Sequence, residues 1–375
     1  METLIQVEQG RFTLQRFPLQ KNDPLRAWDA ADEYLLAYLA GQSLNKQASV
    51  TILNDGFGAL SVALNELNPD VISDSWLSHQ GILNNLQNNH IPASQLNLLT
   101  SLQKPSRPID WLLIKIPKTL ALLEHQLIEL APLLTPQTRV VAASMIKNMP
   151  RTVWTLFERL LGETTTSLAK KKARLIHVQV SSDRKIPANP YPTQYRLENT
   201  DYIISNHANV FSRDHLDIGT RFLLAHLPQS PGQEVIDLGC GNGVVGLMMA
   251  AQHKNINVRF LDESFMAIAS ARDNFERTFS GHRAAEFITT DCLAGIDDNS
   301  ADCIICNPPF HQQQVVGVHI ARRMFIQSKK VLKRGGEIRV IGNRHLDYHV
   351  ILKQIFGNCQ LVASNRKFVV LQAVR

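Results

Sequence analysis

At 375 residues, 44% of them hydrophobic and 19% charged, the chain is too long for one ordinary domain and too apolar to stay disordered, so two domains with separate cores are expected. The formal net charge of +6 suits a polyanionic partner such as nucleic acid, although an ordinary basic surface would carry it equally well. Five cysteines argue against a disulfide framework, no run nears the roughly 18 apolar residues of a membrane helix, and the acidic start METLIQVEQGRF does not resemble a signal peptide, so a cytoplasmic protein is expected.

In chain order, the first strong signal is the β-branched run 49–53, followed by Asn54-Asp55-Gly56-Phe57-Gly58 and a helical stretch at 59–64. It reads strand, glycine turn, helix. A strand at 71–74 ends on Asp74, and an apolar strand from Asp110 runs into Lys115-Ile116-Pro117-Lys118. Leu160-Leu161-Gly162 and a strand at 172–176 complete this half. The polar stretch 181–185, followed by Pro187, Pro190 and Pro192, marks a boundary, predicting domains 1–185 and 186–375.

The second half repeats the same order. A strand at 234–238 leads into Gly239-Cys240-Gly241-Asn242-Gly243 and a helix; a strand at 258–262 ends on Asp262; a strand at 286–290 ends at Asp291; and a strand at 302–306 stops at Asn307-Pro308-Pro309-Phe310. Ile355-Phe356-Gly357 and a strand at 366–370 mirror the end of the first half. Strands alternating with helices predict a parallel sheet covered on both faces. The preserved order predicts two α/β units arising by duplication.

Glycines at 239, 241 and 243 let the backbone turn tightly and let a bulky ligand lie against it. Asp262, about 20 residues on, is placed to accept hydrogen bonds from the ribose hydroxyls of a nucleoside cofactor. Gly241-x-Gly243-x-x-Gly246 also satisfies a dinucleotide spacing, so the glycines alone leave the cofactor open. Two prolines end the strand before them and stiffen the loop that carries Asn307 and Phe310. Cys303 and Cys306 have half of a zinc spacing without a second pair; on a strand they point to opposite faces, so buried core and no metal is expected. His311 either lines a pocket or decorates a loop.

The stretch 237–243 resembles motif I of the class I S-adenosylmethionine-dependent methyltransferases. By that resemblance Asp237 lies near the methionine amino group, Gly239, Cys240, Gly241 and Gly243 admit the adenosyl moiety, Asp262 holds the ribose, and Asp291-Cys292 meets the adenine. Asp291 is equally readable as a helix N-cap. Asn307-Pro308-Pro309-Phe310 resembles motif IV of the methyltransferases acting on conjugated amines. The lone pair of such an amine is delocalised. If the Asn307 oxygen and the Pro308 carbonyl each accept one N–H, the nitrogen is drawn toward tetrahedral geometry while Phe310 stacks on the flat base.

In the first half Lys115-Ile116-Pro117-Lys118 replaces this loop, so the unit is expected to be a degenerate copy without chemistry. Lys115, Lys118, Lys170, Lys171, Lys172 and Arg174 are candidates for phosphate contacts, a solvated lysine face being the alternative. The duplicated plan, the N-P-P-F loop and Asn206-His207-Ala208-Asn209-Val210-Phe211-Ser212 together resemble the bacterial ribosomal RNA guanine-N2 methyltransferases of the RlmG/RsmC type. The stretches 14–18 and 27–34 are more similar to the large-subunit branch. The resemblance implies two tandem Rossmann-like class I methyltransferase units, S-adenosylmethionine as donor, 23S ribosomal RNA as partner, 2-methylguanosine as product, and Phe211 close to the cofactor. Such a chain is expected to act as a monomer with neither metal nor membrane. Adenine N6, a protein glutamine, and a non-catalytic RNA-binding assembly role are the alternatives.

Overall fold

The computed structural model describes residues 2–19, 24–309 and 316–375. The chain divides into two compact units, Met1–Pro190 and Tyr191–Arg375, parting within the proline-rich stretch.

Each unit is built on a seven-stranded sheet. In the second unit the spatial order is Ala285–Thr289, Asn257–Asp262, Glu234–Leu238, Ala301–Cys306, Leu332–Asn343, Phe368–Val374, Gln360–Ser364. In the first it is Asn97–Thr100, Asp70–Ser73, Val50–Leu53, Trp111–Lys115, Arg139–Met145, Ala173–Gln179, Thr164–Thr166. The two orders are the same. The repeat also takes in segments that the sequence comparison did not pair. A small antiparallel hairpin, Leu4–Val7 with Gly10–Thr13, precedes helix Ala30–Ala40 in the first unit; Thr193–Arg196 with Ile203–Asn206 precedes helix Ile218–Leu224 in the second.

Six strands of each sheet run in one direction, as the alternating pattern predicts. One strand in each, Phe368–Val374 and Ala173–Gln179, runs against both of its neighbours, a departure from the expected all-parallel sheet. Phe368 follows Ser364 by too few residues for a crossover, so the chain can return only as a hairpin.

The central strands carry continuous apolar runs because both of their faces are covered. Glu234–Leu238 is buried from Val235 onward, and Val50–Leu53 throughout. Alternation along Ala301–Cys306 sends Cys303 and Ile305 into one apolar cluster and Ile304 and Cys306 into the other. The two thiols are therefore core residues on opposite faces, and burial pushes both well above the ordinary cysteine range. Among the described residues no group of three or more His, Cys, Asp or Glu is placed to hold a metal ion, and no helix is long and apolar enough to cross a membrane.

Candidate active site

In the second unit Glu234–Leu238 pairs with Asn257–Asp262 on one side and with Ala301–Cys306 on the other. The connections leaving these strands diverge, which opens a crevice at their C-terminal ends. The turn from Gly239, the carboxylate of Asp262 and the loop from Asn307 all sit at those ends.

The turn is shaped by backbone bonds. Gly239 and Cys240 donate their N–H groups to the Leu261 carbonyl at 2.8 and 3.0 Å. Gly239, Gly241 and Gly243 have φ of 72°, 55° and 76°, a left-handed conformation that favours glycine. A Cβ on Gly243 would lie 2.7 Å from that of Ala271, so this glycine is needed for helix packing. A Cβ on Gly241 would meet nothing within 4 Å: the backbone here borders open space. Cys240 is buried in the apolar cluster, and burial holds its thiol protonated; it contributes to the turn through its main chain.

Asp262 closes the turn. Its Oδ2 accepts from Gly241 N at 2.9 Å and its Oδ1 from Ser264 N at 3.0 Å. The Glu263 backbone N–H donates to it as well, so of the about four acceptor positions of an ionised carboxylate one is left for a ribose hydroxyl. Burial raises its pKa. Asp237, one strand residue inward, is 3% exposed and accepts from Gly246 N at 2.8 Å. Burial pushes its carboxyl up to about 7. Asp291 pairs with Arg323 of helix Val316–Val331, a partner with no signal in the sequence pattern. Cys292 beside it has φ 55°, and burial raises its thiol to about 12. Open space before Gly241, the spare acceptor position of Asp262 and the adjacent Asp291-Cys292 turn together fit S-adenosylmethionine.

The segment opening with Asn206 is tied to this turn. Asn242 Nδ2 donates to Asn206 Oδ1 at 2.9 Å and to Tyr195 Oη at 3.2 Å, and Asn274 Nδ2 donates to both Asn242 O and Ser205 O at 2.9 Å. Phe211, five residues further on, is 68% exposed.

Asn307 follows Cys306 directly. Its Nδ2 donates to Thr220 Oγ1 at 3.1 Å, while its Oδ1 is buried and has no hydrogen-bond partner among the described residues. An orphaned buried acceptor costs about 1–3 kcal/mol, and a donor brought by a ligand would relieve it. Pro308 is buried and Pro309 half-buried, which anchors the loop behind Asn307. Phe310 and His311 lie outside the described residues. Thr220 and its neighbour Asp217, the N-cap of helix Ile218–Leu224, were missed by sequence reasoning. The only available signal was the Asp-x-x-Thr spacing of a helix start.

The first unit keeps the backbone of this site and changes its contents. Register places Leu53 beside Ile114 as it places Leu238 beside Cys306, so Lys115 occupies the position of Asn307. Asn54, where the second unit has Gly239, adopts φ 61°, and its side chain bonds Lys115 O and Gln126. Asp55 accepts from the N–H groups of Gly58, Leu60 and Ser61, closing the helix start from within. Lys115 does not reach outward as a phosphate contact. Its side chain is 15% exposed and its Nζ lies 2.9 Å from Asp29 Oδ1 and 2.7 Å from Asp32 Oδ1. Lys115 therefore leaves the candidate set: two carboxylates have already neutralised it. Arg174 is half-buried in strand Ala173–Gln179 with its Nε enclosed. Lys118 is exposed. Lys170, Lys171 and Lys172 are brought together on a tight turn closed by reciprocal bonds between Lys170 and Ala173, with φ 48° at Lys171 and 63° at Lys172. Lys171 reaches Glu33 at 2.8 Å while staying 69% exposed.

Comparison with known proteins bears on the whole chain. Residues 2–182 match the RLMG N-terminal domain and residues 201–372 the methyltransferase small domain. The chain is 48% identical to the ribosomal RNA large subunit methyltransferase G of Aeromonas hydrophila over 100% of both chains. It is 49% identical to that of Pseudoalteromonas translucida over 97% of this chain and 96% of the other. Among solved structures, a 16S rRNA N2 methyltransferase of T. thermophilus in complex with AdoMet and guanosine matches with a TM-score of 0.77 at 20% identity, covering 100% of this chain and 97% of that one. That likeness spans both units and shows that each has the class I methyltransferase fold, the first without the acceptor loop. With half of its residues shared along its full length and both domains matched in order, the chain belongs to the ribosomal RNA large subunit methyltransferase G family.

Proposed function

We propose that this enzyme transfers the methyl group of S-adenosylmethionine to the exocyclic N2 of a guanine in 23S ribosomal RNA, in the cytoplasm, acting as a monomer whose first domain, 1–185, grips RNA and whose second domain, 186–375, carries the chemistry. The observation that carries the reading is Asn307: a buried amide oxygen without a donor among the described residues, at the end of the strand beside the glycine turn. Relatives named for methylation of large-subunit ribosomal RNA support the substrate class.

S-adenosylmethionine supplies a methyl group on a positively charged sulfur, which a neutral amine can displace. Gly239, Gly241 and Gly243 would admit it, Asp262 would take its ribose, Asp291-Cys292 its adenine, and Asp237 would stand toward its amino group, with Phe211 near it. The chain's part in the reaction falls to the acceptor loop. Asn307 Oδ1 and the Pro308 carbonyl each take one N–H of the guanine amine, which draws the nitrogen out of conjugation and aims its lone pair. Pro308 and Pro309 hold these acceptors still while the base is positioned. The ammonium product is acidic enough to lose its proton to water, so no strong base is required. Phe310 would stack on the base. In the first unit Lys118 and the turn at Lys170, Lys171 and Lys172 would hold phosphates.

The test is transfer of labelled methyl to ribosomal RNA from cells lacking the protein, digested to nucleosides for mass analysis. We expect 2-methylguanosine in the large-subunit RNA. Label in N6-methyladenosine, in protein glutamine or in small-subunit RNA alone would overturn the assignment.

A further inference from the structure

We propose that Thr220, held by the Asp217 carboxylate, is a positioning residue that fixes the amide orientation of Asn307 and so presents its oxygen, rather than its NH2 group, to the substrate amine. The inference rests on the reading of Asn307 given above.

Asp217 Oδ2 lies 2.8 Å from Thr220 N and 3.3 Å from Thr220 Oγ1. A carboxylate can only accept, and a threonine hydroxyl has a single proton. That proton is therefore directed to Asp217, leaving lone pairs on Oγ1 for the third member. The group facing them 3.1 Å away must be a donor, which is the Asn307 NH2. A flipped amide would set Oδ1 against those lone pairs, and two acceptors at that distance repel. The remaining end of the amide is then the oxygen, and it is the atom left without a partner among the described residues. Asp217 is itself held in place. A Cβ on Gly219 would come within 2.9 Å of Asp217 Oδ2 and 3.2 Å of the Phe368 ring, so a glycine between Asp217 and Thr220 gives the carboxylate room to fold back.

The first unit offers an internal comparison. Its helix Ala30–Ala40 also starts on an acid, Asp29, and the third residue after it, Asp32, also touches the residue that ends the fourth strand, Lys115. The contact is the same in both copies and its chemistry differs. An acid at this helical position demands a cation and produces a closed ion pair. A hydroxyl demands only a donor and leaves an amide oxygen free.

The experiment compares Thr220→Val, Thr220→Ser, Asn307→Ala and the Thr220→Val, Asn307→Ala double variant in the full chain. Single-turnover methyl transfer to large-subunit ribosomal RNA and S-adenosylmethionine affinity are measured for each. Thr220→Val, near in shape but without lone pairs, should slow transfer by about tenfold to a hundredfold with cofactor affinity unchanged, and Thr220→Ser should restore most of the rate. In the double variant Thr220→Val should add nothing to the loss from Asn307→Ala, because its role runs through that residue. Wild-type rates in Thr220→Val, an additive loss in the double variant, or a loss accompanied by weakened cofactor binding would overturn the proposal. Full activity of Asn307→Ala would instead overturn the reading of Asn307, which keeps the two failures distinct.

Discussion

Lys115 and Asn307 stand at the same place in two copies of one fold, each at the end of the fourth strand and each touching the third residue after a helix-capping acid. In one copy the contact is an ion pair between Lys115 and Asp32. In the other it is a neutral hydrogen bond between Asn307 and Thr220. Lys115 is held by buried Asp32 and half-exposed Asp29, whereas the Asn307 amide keeps an acceptor open. At this position the two units thus differ in side chains more than in backbone.

Removing the acceptor should remove the reaction without removing the cofactor site. Asn307→Ala is expected to slow methyl transfer by about a hundredfold to a thousandfold, while S-adenosylmethionine affinity, measured by titration calorimetry, stays within a factor of about two. Equal losses in rate and affinity would show that Asn307 shapes the crevice instead.

Two glycines of the turn should behave differently. Gly243→Ala brings a Cβ within 2.7 Å of Ala271 and forces φ 76° on alanine, so the fold should lose about 1–3 kcal/mol, read from denaturant unfolding. Gly241→Ala carries the strain of φ 55° and no internal clash. Its added methyl instead enters the open space, and the expected result is weaker cofactor binding with a smaller change in stability.

Lys115→Met should destabilise the first unit by about 3–5 kcal/mol, because it strands buried Asp32 and its neighbour Asp29 without their cation. Burial already pushes the Asp32 carboxyl up to about 6, with the lysine opposing that rise. The folded state therefore holds this proton more tightly than the unfolded one, and the group's contribution falls as pH rises from about 4 through 6. Without Lys115 the pKa should climb further, so the penalty should grow with pH beyond 6. Unfolding curves at a series of pH values measure this; a penalty independent of pH would contradict it.

A related sign applies to Asp237. Its folded pKa of about 7 exceeds the ordinary value near 3.8, so the proton stays bound in the native state over that interval. Stability contributed by this group is present below about pH 4 and is lost as pH rises toward 7. Asp237→Asn cannot ionise. The stability of the natural protein minus that of the variant should therefore decline between pH 4 and 7 and level off above. A difference that rises with pH would show that the ionised carboxylate is favoured by the fold.

The lysine turn is testable through salt. Replacing Lys170, Lys171 and Lys172 with Gln should weaken RNA binding and flatten its dependence on salt by roughly one unit of slope for each phosphate no longer neutralised. The ion pair of Lys171 with Glu33 is largely exposed and worth little, so stability should barely change. An unchanged slope would identify the turn as ordinary solvated surface.

The two α/β units, the glycine turn and the acceptor loop were legible in the sequence because each is a local arrangement. Strand, turn and helix follow from hydrophobic period and from glycine and proline, whose backbone preferences act over a few residues. The mutual register of the halves in the sequence pairs Lys115 with Asn307. Side-chain partners at long range were not legible. That Lys115 turns inward depends on Asp29 and Asp32, more than 80 positions earlier; that Asn307 is oriented depends on Thr220, 87 positions earlier. Asp291 gained Arg323 in the same way. The sequence by itself determined which backbone would be built, twice over. Only the tertiary structure decided which polar atoms found partners and left Asn307 Oδ1 without one among the described residues. Hydrogen-bond satisfaction is a property of atoms brought together by folding rather than of any stretch of chain.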